Sequence, residues 1–262
     1  MTLIRQRAPE TSSTWSQVES RQLERGLELL GQQASPFQSR QLRSFGELLL
    51  KWNRTYNLLG ATVPRALVEE HLLDTPAILP ALDRWLPPQP QVLVDVGSGA
   101  GLPGIVLAIL RPQLTLVLVE PIGKKAAFLR QALAVCSLAN VRVLEGRIED
   151  ADSTRDFSPA NPGARPDRAP HFICRAFTTL QRFAELCGPH ARIGPQGSLL
   201  FAMKAAKVGE ELRQLGGSVE VLAIEELLTV QTDVQRNLVM MRLVGGALAT
   251  RPTAIDDRSK PL

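Results

Sequence analysis

The residues best suited to chemistry lie in a glycine-rich segment from Val92 to Leu107, which reads VLVDVGSGAGLPGIVL. Its first apolar residues predict a buried strand, and its glycines predict a tight turn that leads into a helix. A turn without side chains lets the backbone approach a bound cofactor at the carboxyl edge of a parallel sheet. Two cofactor classes use this layout, the nicotinamide dinucleotides and S-adenosylmethionine.

Acidic residues around the turn distinguish these two classes. The run from Gly99 to Gly104 matches the dinucleotide pattern GxGxxG, and Glu120, at the end of the next predicted strand, suits a ribose in either class. Asp95, two residues before Gly97, would repel a pyrophosphate but favours a sulfonium cofactor that carries an ammonium group. Glu149, after the third predicted strand, is placed to accept from an adenine amine. Together these carboxylates favour S-adenosylmethionine.

The segment after the fourth predicted strand, His171 to Thr178, supplies the acceptor chemistry in such folds. It contains no Asp-Pro-Pro-Tyr motif, which argues against methylation of an exocyclic amine. Cys174 lies in an apolar run without a neighbouring proline, so we expect a buried apolar residue rather than a covalent nucleophile. A ring nitrogen acceptor needs no general base, because its lone pair is already available. Placement of that nitrogen is then the main requirement.

Arg175 and Phe177 suit that placement. Phe177 can stack on an extruded base, and Arg175 can bind a phosphate or an acceptor on a base edge. Core packing remains the alternative for Phe177, and a solvated or helix-capping role remains the alternative for Arg175.

Helical periodicity extends from residue 15 to about residue 86. Capping patterns at Ser16 and Ser35 open two helices, and further helices are expected over Pro64 to Leu73 and Pro76 to Trp85. Prolines at 87, 88 and 90 then mark a boundary. We therefore predict a helical N-terminal extension over residues 1–88.

Strand-like and helical segments alternate after this boundary. The predicted strands lie at 91–96, 114–119, 141–144, 171–174, 198–202, 219–224 and 237–244, with helices near 103–110, 122–136, 177–188 and 206–216. Alternation of this kind predicts a Rossmann-like α/β domain over residues 89–245, with a mostly parallel sheet of about seven strands. The last two strands are expected to form an antiparallel hairpin. Residues 151–170 suggest a flexible loop, and residues 246–262 a disordered tail.

The bulk composition limits the possible environments and partners. A net charge of +4 is compatible with an RNA partner. The three cysteines show no CxxC spacing and the three histidines are scattered, so we expect neither a metal site nor a disulfide framework. No secretory signal or membrane-spanning apolar run is evident. We expect a cytoplasmic monomer that has no contact with membranes.

Five motifs taken together resemble one known family. They are Trp52-Asn-Arg-Thr-Tyr56-Asn-Leu, His71-Leu-Leu-Asp74-Thr, Asp95 to Gly104, Gly123-Lys124-Lys125-Ala-Ala-Phe128-Leu-Arg130, and Arg175-Ala-Phe177. The resemblance covers most of residues 35–245 and is to the bacterial small-subunit ribosomal RNA guanine-N7 methyltransferases, the RsmG or GidB family. It implies a class I methyltransferase fold, S-adenosylmethionine as the methyl donor, and a guanine N7 in 16S ribosomal RNA as the acceptor. The small subunit itself is the alternative form of the substrate.

The resemblance also implies roles for individual residues. The donor-binding positions are Asp95, Gly97, Ser98, Gly99, Gly101, Leu102, Glu120, Arg147, Ile148, Glu149 and Arg175. The catalytic positions are Arg175, Phe177 and Lys204. The substrate or RNA positions are His71, Asp74, Lys124, Lys125, Arg147 and Arg236. The family's usual histidine after Arg236 is replaced here by Asn237, which weakens any role for that position.

Two other functions remain open from the sequence. The GxGxxG match is compatible with a nicotinamide-dependent oxidoreductase. A non-catalytic RNA-binding module on a methyltransferase fold is the second alternative, although the intact glycine turn argues against it.

Overall fold

The structure, a computed structural model, describes residues 15–60, 62–87, 92–157, 169–205, 208–231 and 235–245. Helix α1 covers Gln17–Leu29 and begins at the predicted capping box, in which the Ser16 side chain accepts from the Val18 amide. Helix α2 covers Pro36–Tyr56, is capped by Ser35 and ends at Asn57 in the left-handed conformation. Both starting points agree with the sequence prediction, because the capping residues satisfy amide groups that a helix leaves unpaired.

The third predicted helix departs from regular α-helical geometry. It starts as α3 over Pro64–Ala66 and continues as a π-helix over Leu67–Leu72. A 3₁₀ turn at Pro76–Ile78 leads into α4 over Leu79–Trp85. π-helical turns are rare and are found frequently at functional sites. The one seen here carries His71.

In the described part of the chain, a seven-stranded sheet follows, with the spatial order β3-β2-β1-β4-β5-β7-β6. The strands are β1 (Val92–Val96), β2 (Thr115–Glu120), β3 (Val141–Glu145), β4 (His171–Arg175), β5 (Leu199–Ala205), β6 (Val219–Leu227) and β7 (Arg236–Leu243). Strands β1 to β5 are parallel, and β7 pairs antiparallel with both β5 and β6. The predicted Rossmann-like sheet with a terminal antiparallel hairpin is confirmed. Strand β7 lies between β5 and β6.

Within the described residues, five further α-helices accompany the strands. They are α5 (Gly104–Leu110), α6 (Gly123–Val135), α7 (Ser153–Asp156), α8 (Leu180–Cys187) and α9 (Gly209–Arg213). Helix α9 is shorter than the predicted 206–216. The prediction of a loop from residue 151 is wrong at its start, where Asp152 caps α7 and Phe157 is fully buried. The predicted boundary near residue 88 and the predicted tail at 246–262 fall outside the described residues and remain predictions.

The N-terminal helices share a hydrophobic core with one face of the sheet. Phe45 of α2 is fully buried, and its ring centroid lies 6.3 Å from that of Phe128 of α6. The Gln41 side chain, also buried, donates to the Cys136 carbonyl at 2.6 Å. One cluster of buried apolar residues joins α1, α2, α4, α5 and α6. The extension therefore packs against the sheet domain as part of one core.

Shared packing predicts that the extension and the sheet unfold together. All three tryptophans, Trp15, Trp52 and Trp85, lie in the extension, so their fluorescence reports on the extension and on its contacts with the sheet domain. We expect the urea transition followed by fluorescence to coincide with the one followed by far-UV circular dichroism. Phe45→Ala should lower the free energy of unfolding by about 3–5 kcal/mol in both signals. The control Glu47→Ala, at an exposed position, should change it by less than about 0.5 kcal/mol. Separate transitions would show that the extension folds independently.

Candidate active site

The glycine loop, residues 97–103, connects the carboxyl end of β1 to the start of α5. At Gly97 the φ angle is +73°, and an added Cβ would lie 2.3 Å from the Phe177 ring. At Gly104 an added Cβ would lie 2.6 Å from Asp95 Oδ2 and 2.3 Å from the Leu118 side chain. Only glycine fits these two positions, because backbone conformation or close packing excludes a side chain.

Asp95 is buried beneath this loop, with 1% of its surface exposed. Its Oδ2 accepts a hydrogen bond from the Gly104 amide at 3.1 Å, which fixes the start of α5. Its Oδ1 is also buried and has no hydrogen-bond partner within the described residues. Burial raises the pKa of Asp95 to about 7, although the Gly104 amide opposes the shift. The site thus contains a buried acceptor that a cationic group would satisfy.

Glu120 ends β2 and holds the other side of the loop. It is 3% exposed, and its Oε2 accepts from the Gly99 amide at 2.8 Å. Its Oε1 accepts from the Ile122 amide at 2.9 Å, at the start of α6. Each carboxylate oxygen keeps a second lone pair, so these contacts leave acceptor capacity for a ligand hydroxyl.

A cavity of about 330 Å³ opens beside the loop. It brings together five residues that the sequence predicted separately: Gly97, Arg147, Ile148, Glu149 and Phe177. Ser98, Gly99, Gly101 and Leu102 belong to the adjacent loop and do not contribute to this lining. Sequence reasoning missed Arg182, which lines the cavity and pairs with Glu149 at 3.2 Å. The sequence gives no signal for that pair, since the two residues are 33 positions apart.

Arg175, at the end of β4, contacts the N-terminal extension. Its Nη1 donates to the His71 carbonyl at 3.1 Å, and its Nη2 donates to His71 Nδ1 at 2.8 Å. The His71 carbonyl lies near the end of the π-helix, and the residue whose amide would continue the π-helical pattern to it is Pro76. Because proline has no amide hydrogen, the carbonyl is available to Arg175. Burial, followed by the charges of Arg175 and Arg236, lowers the pKa of His71 to about 4. His71 is therefore neutral at neutral pH and accepts at Nδ1.

Asp74 completes this group, which we call the arginine cluster: His71, Asp74, Arg175 and Arg236. Asp74 is 7% exposed, and its Oδ2 lies 3.2 Å from Arg236 Nε and 3.7 Å from Arg175 Nη1. Burial raises the pKa of Asp74, while the two arginines oppose that shift. One carboxylate thus bridges two guanidinium groups from β4 and β7. The sequence predicted all four residues as site residues but not their mutual contacts.

The remaining predicted residues lie around these groups. Phe177 is 41% exposed and packs on Gly97. Lys204 of β5 pairs with Glu211 at 2.7 Å and donates to the Thr178 carbonyl. Lys124 and Lys125 lie in the first turn of α6, where Lys124 is exposed and Lys125 is half-buried. Their predicted roles toward substrate remain predictions.

Other features limit the chemistry of the described part of the chain. Cys174 is fully buried and burial raises the pKa of its thiol, in agreement with the predicted apolar role. Among the described residues, no group of three or more His, Cys, Asp or Glu side chains is arranged to hold a metal ion. No described helix has the length and apolar character needed to cross a membrane.

Comparison with known proteins supplies the family. The model of the GidB family, described as rRNA small subunit methyltransferase G, matches residues 38–239. The protein named ribosomal RNA small subunit methyltransferase G from Azoarcus sp. (strain BH72) is 36% identical over 82% of this chain and 92% of its own length. The protein of the same name from Xanthomonas oryzae pv. oryzae is 39% identical over 84% of this chain and 93% of its own length.

Similarity to solved structures is more distant. The structure of TrmN from Thermus thermophilus aligns with a TM-score of 0.42 at 14% identity, over 66% of this chain and 49% of that chain. This likeness is too low to carry an argument, and the family assignment depends on the sequence matches. The span of the family model and the identity to these relatives place the chain in the GidB family of small-subunit rRNA methyltransferases.

Proposed function

We propose that this protein transfers a methyl group from S-adenosylmethionine to N7 of a guanine in 16S ribosomal RNA. The observation that carries the proposal is the placement of the glycine loop, the cavity and the segment Arg175-Ala-Phe177 at one edge of the sheet, in a chain of the GidB family. The names of the relatives support small-subunit ribosomal RNA as the substrate class. No contact among the described residues favours a dinucleotide or a purely RNA-binding role. We further propose that the protein acts as a monomer in the cytoplasm.

The residues of the site fit the proposed donor. The unpaired Oδ1 of Asp95 suits the donor's ammonium group, and the free lone pairs of Glu120 suit its ribose hydroxyls. The cavity beside Ile148 and Glu149 suits its adenine. When bound, this donor supplies an electrophilic methyl group on a positively charged sulfur.

The chain's own residues then have to orient the acceptor. A guanine N7 has a free lone pair, so no residue needs to remove a proton before the transfer. Phe177 has an exposed ring face beside the cavity on which a base can stack. Arg175 is held by the arginine cluster and keeps further N–H donors for a base edge or a phosphate. Placement of the base is therefore the main catalytic contribution of the protein.

Other basic residues are proposed to bind the RNA backbone. Arg147, Lys124 and Lys125 are candidates for phosphate contacts, as is Arg236 beyond its bond to Asp74. His71 and Asp74 support this role indirectly, because their contacts orient Arg175 and Arg236.

The raised pKa of Asp95 should make donor binding depend on pH. Asp95 has a pKa raised to about 7, and its proton must leave before the carboxylate can pair with an ammonium group. Donor affinity, measured by calorimetry, should therefore rise roughly tenfold between about pH 6 and about pH 8. Asp95→Asn keeps an acceptor for the Gly104 amide but removes the charge. It should weaken binding by roughly thirtyfold or more at high pH and abolish the pH dependence. A variant with unchanged affinity would contradict the assigned role.

Variants of Arg175 and Arg182 should separate donor binding from turnover. Arg175→Gln should leave the donor Kd within about twofold and lower kcat on ribosomal subunits by roughly a hundredfold, because misplacement of reacting groups costs about this much. Arg182→Gln, at a residue that lines the cavity, is the comparison variant. It frees Glu149 and should change donor affinity more than kcat. Equal loss of donor binding in both variants would show that Arg175 serves the donor.

The transfer reaction itself tests the proposed function. Purified protein, labelled S-adenosylmethionine and small subunits from cells that lack the gene should give labelled 16S ribosomal RNA. Base-specific cleavage at N7-methylguanine should then locate one modified position. Label on another atom, or no transfer despite donor binding, would refute the proposal. Saturable binding of NAD without binding of S-adenosylmethionine would instead support an oxidoreductase.

A further inference from the structure

Phe177 lies on a short connection whose conformation needs support. Strand β4 ends at Arg175 and α8 begins at Leu180, so four residues make the turn. Ala176 has a φ angle of +48°, in the left-handed region that residues other than glycine rarely adopt. The hydrogen bond that the Ala176 amide donates to the Met203 carbonyl is long, at 3.4 Å. Backbone conformations of this kind persist only where surrounding contacts fix them.

The support comes from Lys204 and Glu211, two residues outside the connection. Lys204 Nζ donates to the Thr178 carbonyl and pairs with Glu211 Oε2 at 2.7 Å. The same Glu211 oxygen accepts from the Leu180 amide at 2.8 Å, at the first residue of α8. The pair therefore holds the backbone on both sides of Thr179. The Lys204 side chain is only 10% exposed and that of Glu211 25%, which protects the ion pair from solvent.

The position of this pair differs from that of the groups at the cavity. Thr178 and Phe177 line the cavity, whereas Lys204 and Glu211 do not belong to its lining. The Lys204 ammonium group is occupied by a carbonyl and a carboxylate. Phe177 in turn packs on Gly97 of the glycine loop. A displacement of the connection would therefore move the ring relative to that loop.

We propose that Glu211 is a positioning residue of the methyl-transfer site and that Lys204 acts with it rather than as a catalytic group. The pair fixes the connection from Ala176 to Thr179 and so places the Phe177 ring beside the glycine loop. This inference rests on the proposed function, because it assumes that the acceptor base stacks on Phe177. It assigns a role to Glu211 that the sequence motifs did not indicate.

The test compares Glu211→Ala and Lys204→Met with the matched control Glu210→Ala. Glu210 is the preceding residue of α9 and forms an exposed ion pair with Arg213, so its loss should have no effect on turnover. We expect both test variants to lower kcat on small subunits by roughly ten- to a hundredfold, with donor Kd within about twofold of the parent protein. Lys204→Arg keeps the positive charge and should retain most of the activity. Melting temperatures of all variants identify any general loss of folding.

A double-mutant cycle decides whether the pair acts through Phe177. In a Phe177→Ala background, Glu211→Ala should cause little further loss of kcat, because the ring to be placed is already absent. If Glu211→Ala lowers kcat by the same factor in the Phe177→Ala background as in the parent protein, the proposal is overturned. A large effect of Lys204→Met together with no effect of Glu211→Ala would also overturn it, since Lys204 would then act on its own.

Hydrogen exchange separates this inference from the proposed function. Glu211→Ala should increase exchange of the amides from Ala176 to Arg182, and Glu210→Ala should not. If the parent protein transfers no methyl group but this exchange pattern is found, the proposed function fails while the structural role stands. Unchanged exchange in Glu211→Ala would refute the positioning role whatever the activity.

Discussion

Two buried carboxylates at the ends of neighbouring strands determine the geometry of the site. Glu120 accepts from Gly99 near the beginning of the glycine loop, and Asp95 accepts from Gly104 at its end. Strands β1 and β2 pair in parallel and in register, so both carboxylates reach the same edge of the sheet. The loop is thus fixed in large part by side-chain acceptors from β1 and β2 on its backbone donors. This leaves its surface open to a ligand.

Burial of these carboxylates has an electrostatic cost that bears on function. Asp95 lies in a fully buried position close to the negative charge of Glu120, and its pKa is raised to about 7. Such a group is poorly satisfied in the free protein, because an ionised oxygen without a partner is unfavourable in the interior. A positively charged ligand relieves this cost. Perturbed carboxyl groups of this kind are typical of functional sites.

The arginine cluster joins the N-terminal extension to strands β4 and β7. Asp74 and His71 come from the extension, whereas Arg175 and Arg236 come from β4 and β7. Two partly buried guanidinium groups would repel each other without the shared carboxylate. The π-helix contributes the His71 carbonyl, which accepts from Arg175. The extension therefore packs on the sheet and also orients the guanidinium groups of Arg175 and Arg236, which belong to the sheet.

Much of this architecture follows from the sequence alone. Helix starts at Ser16 and Ser35, the alternation of strands and helices, and the glycine loop depend on local patterns, and these predictions were confirmed. The clustering of three predicted site residues was also recognisable, because Asp95, Glu120 and Arg175 lie at or next to the carboxyl ends of parallel strands, which meet at one edge. What only the tertiary structure decided are the pairings between side chains of different elements: Arg175 with His71, Arg236 with Asp74, Glu149 with Arg182, and Lys204 with Glu211. Local propensity carries no information about which charged side chains of different elements will meet, since packing of the whole chain decides it.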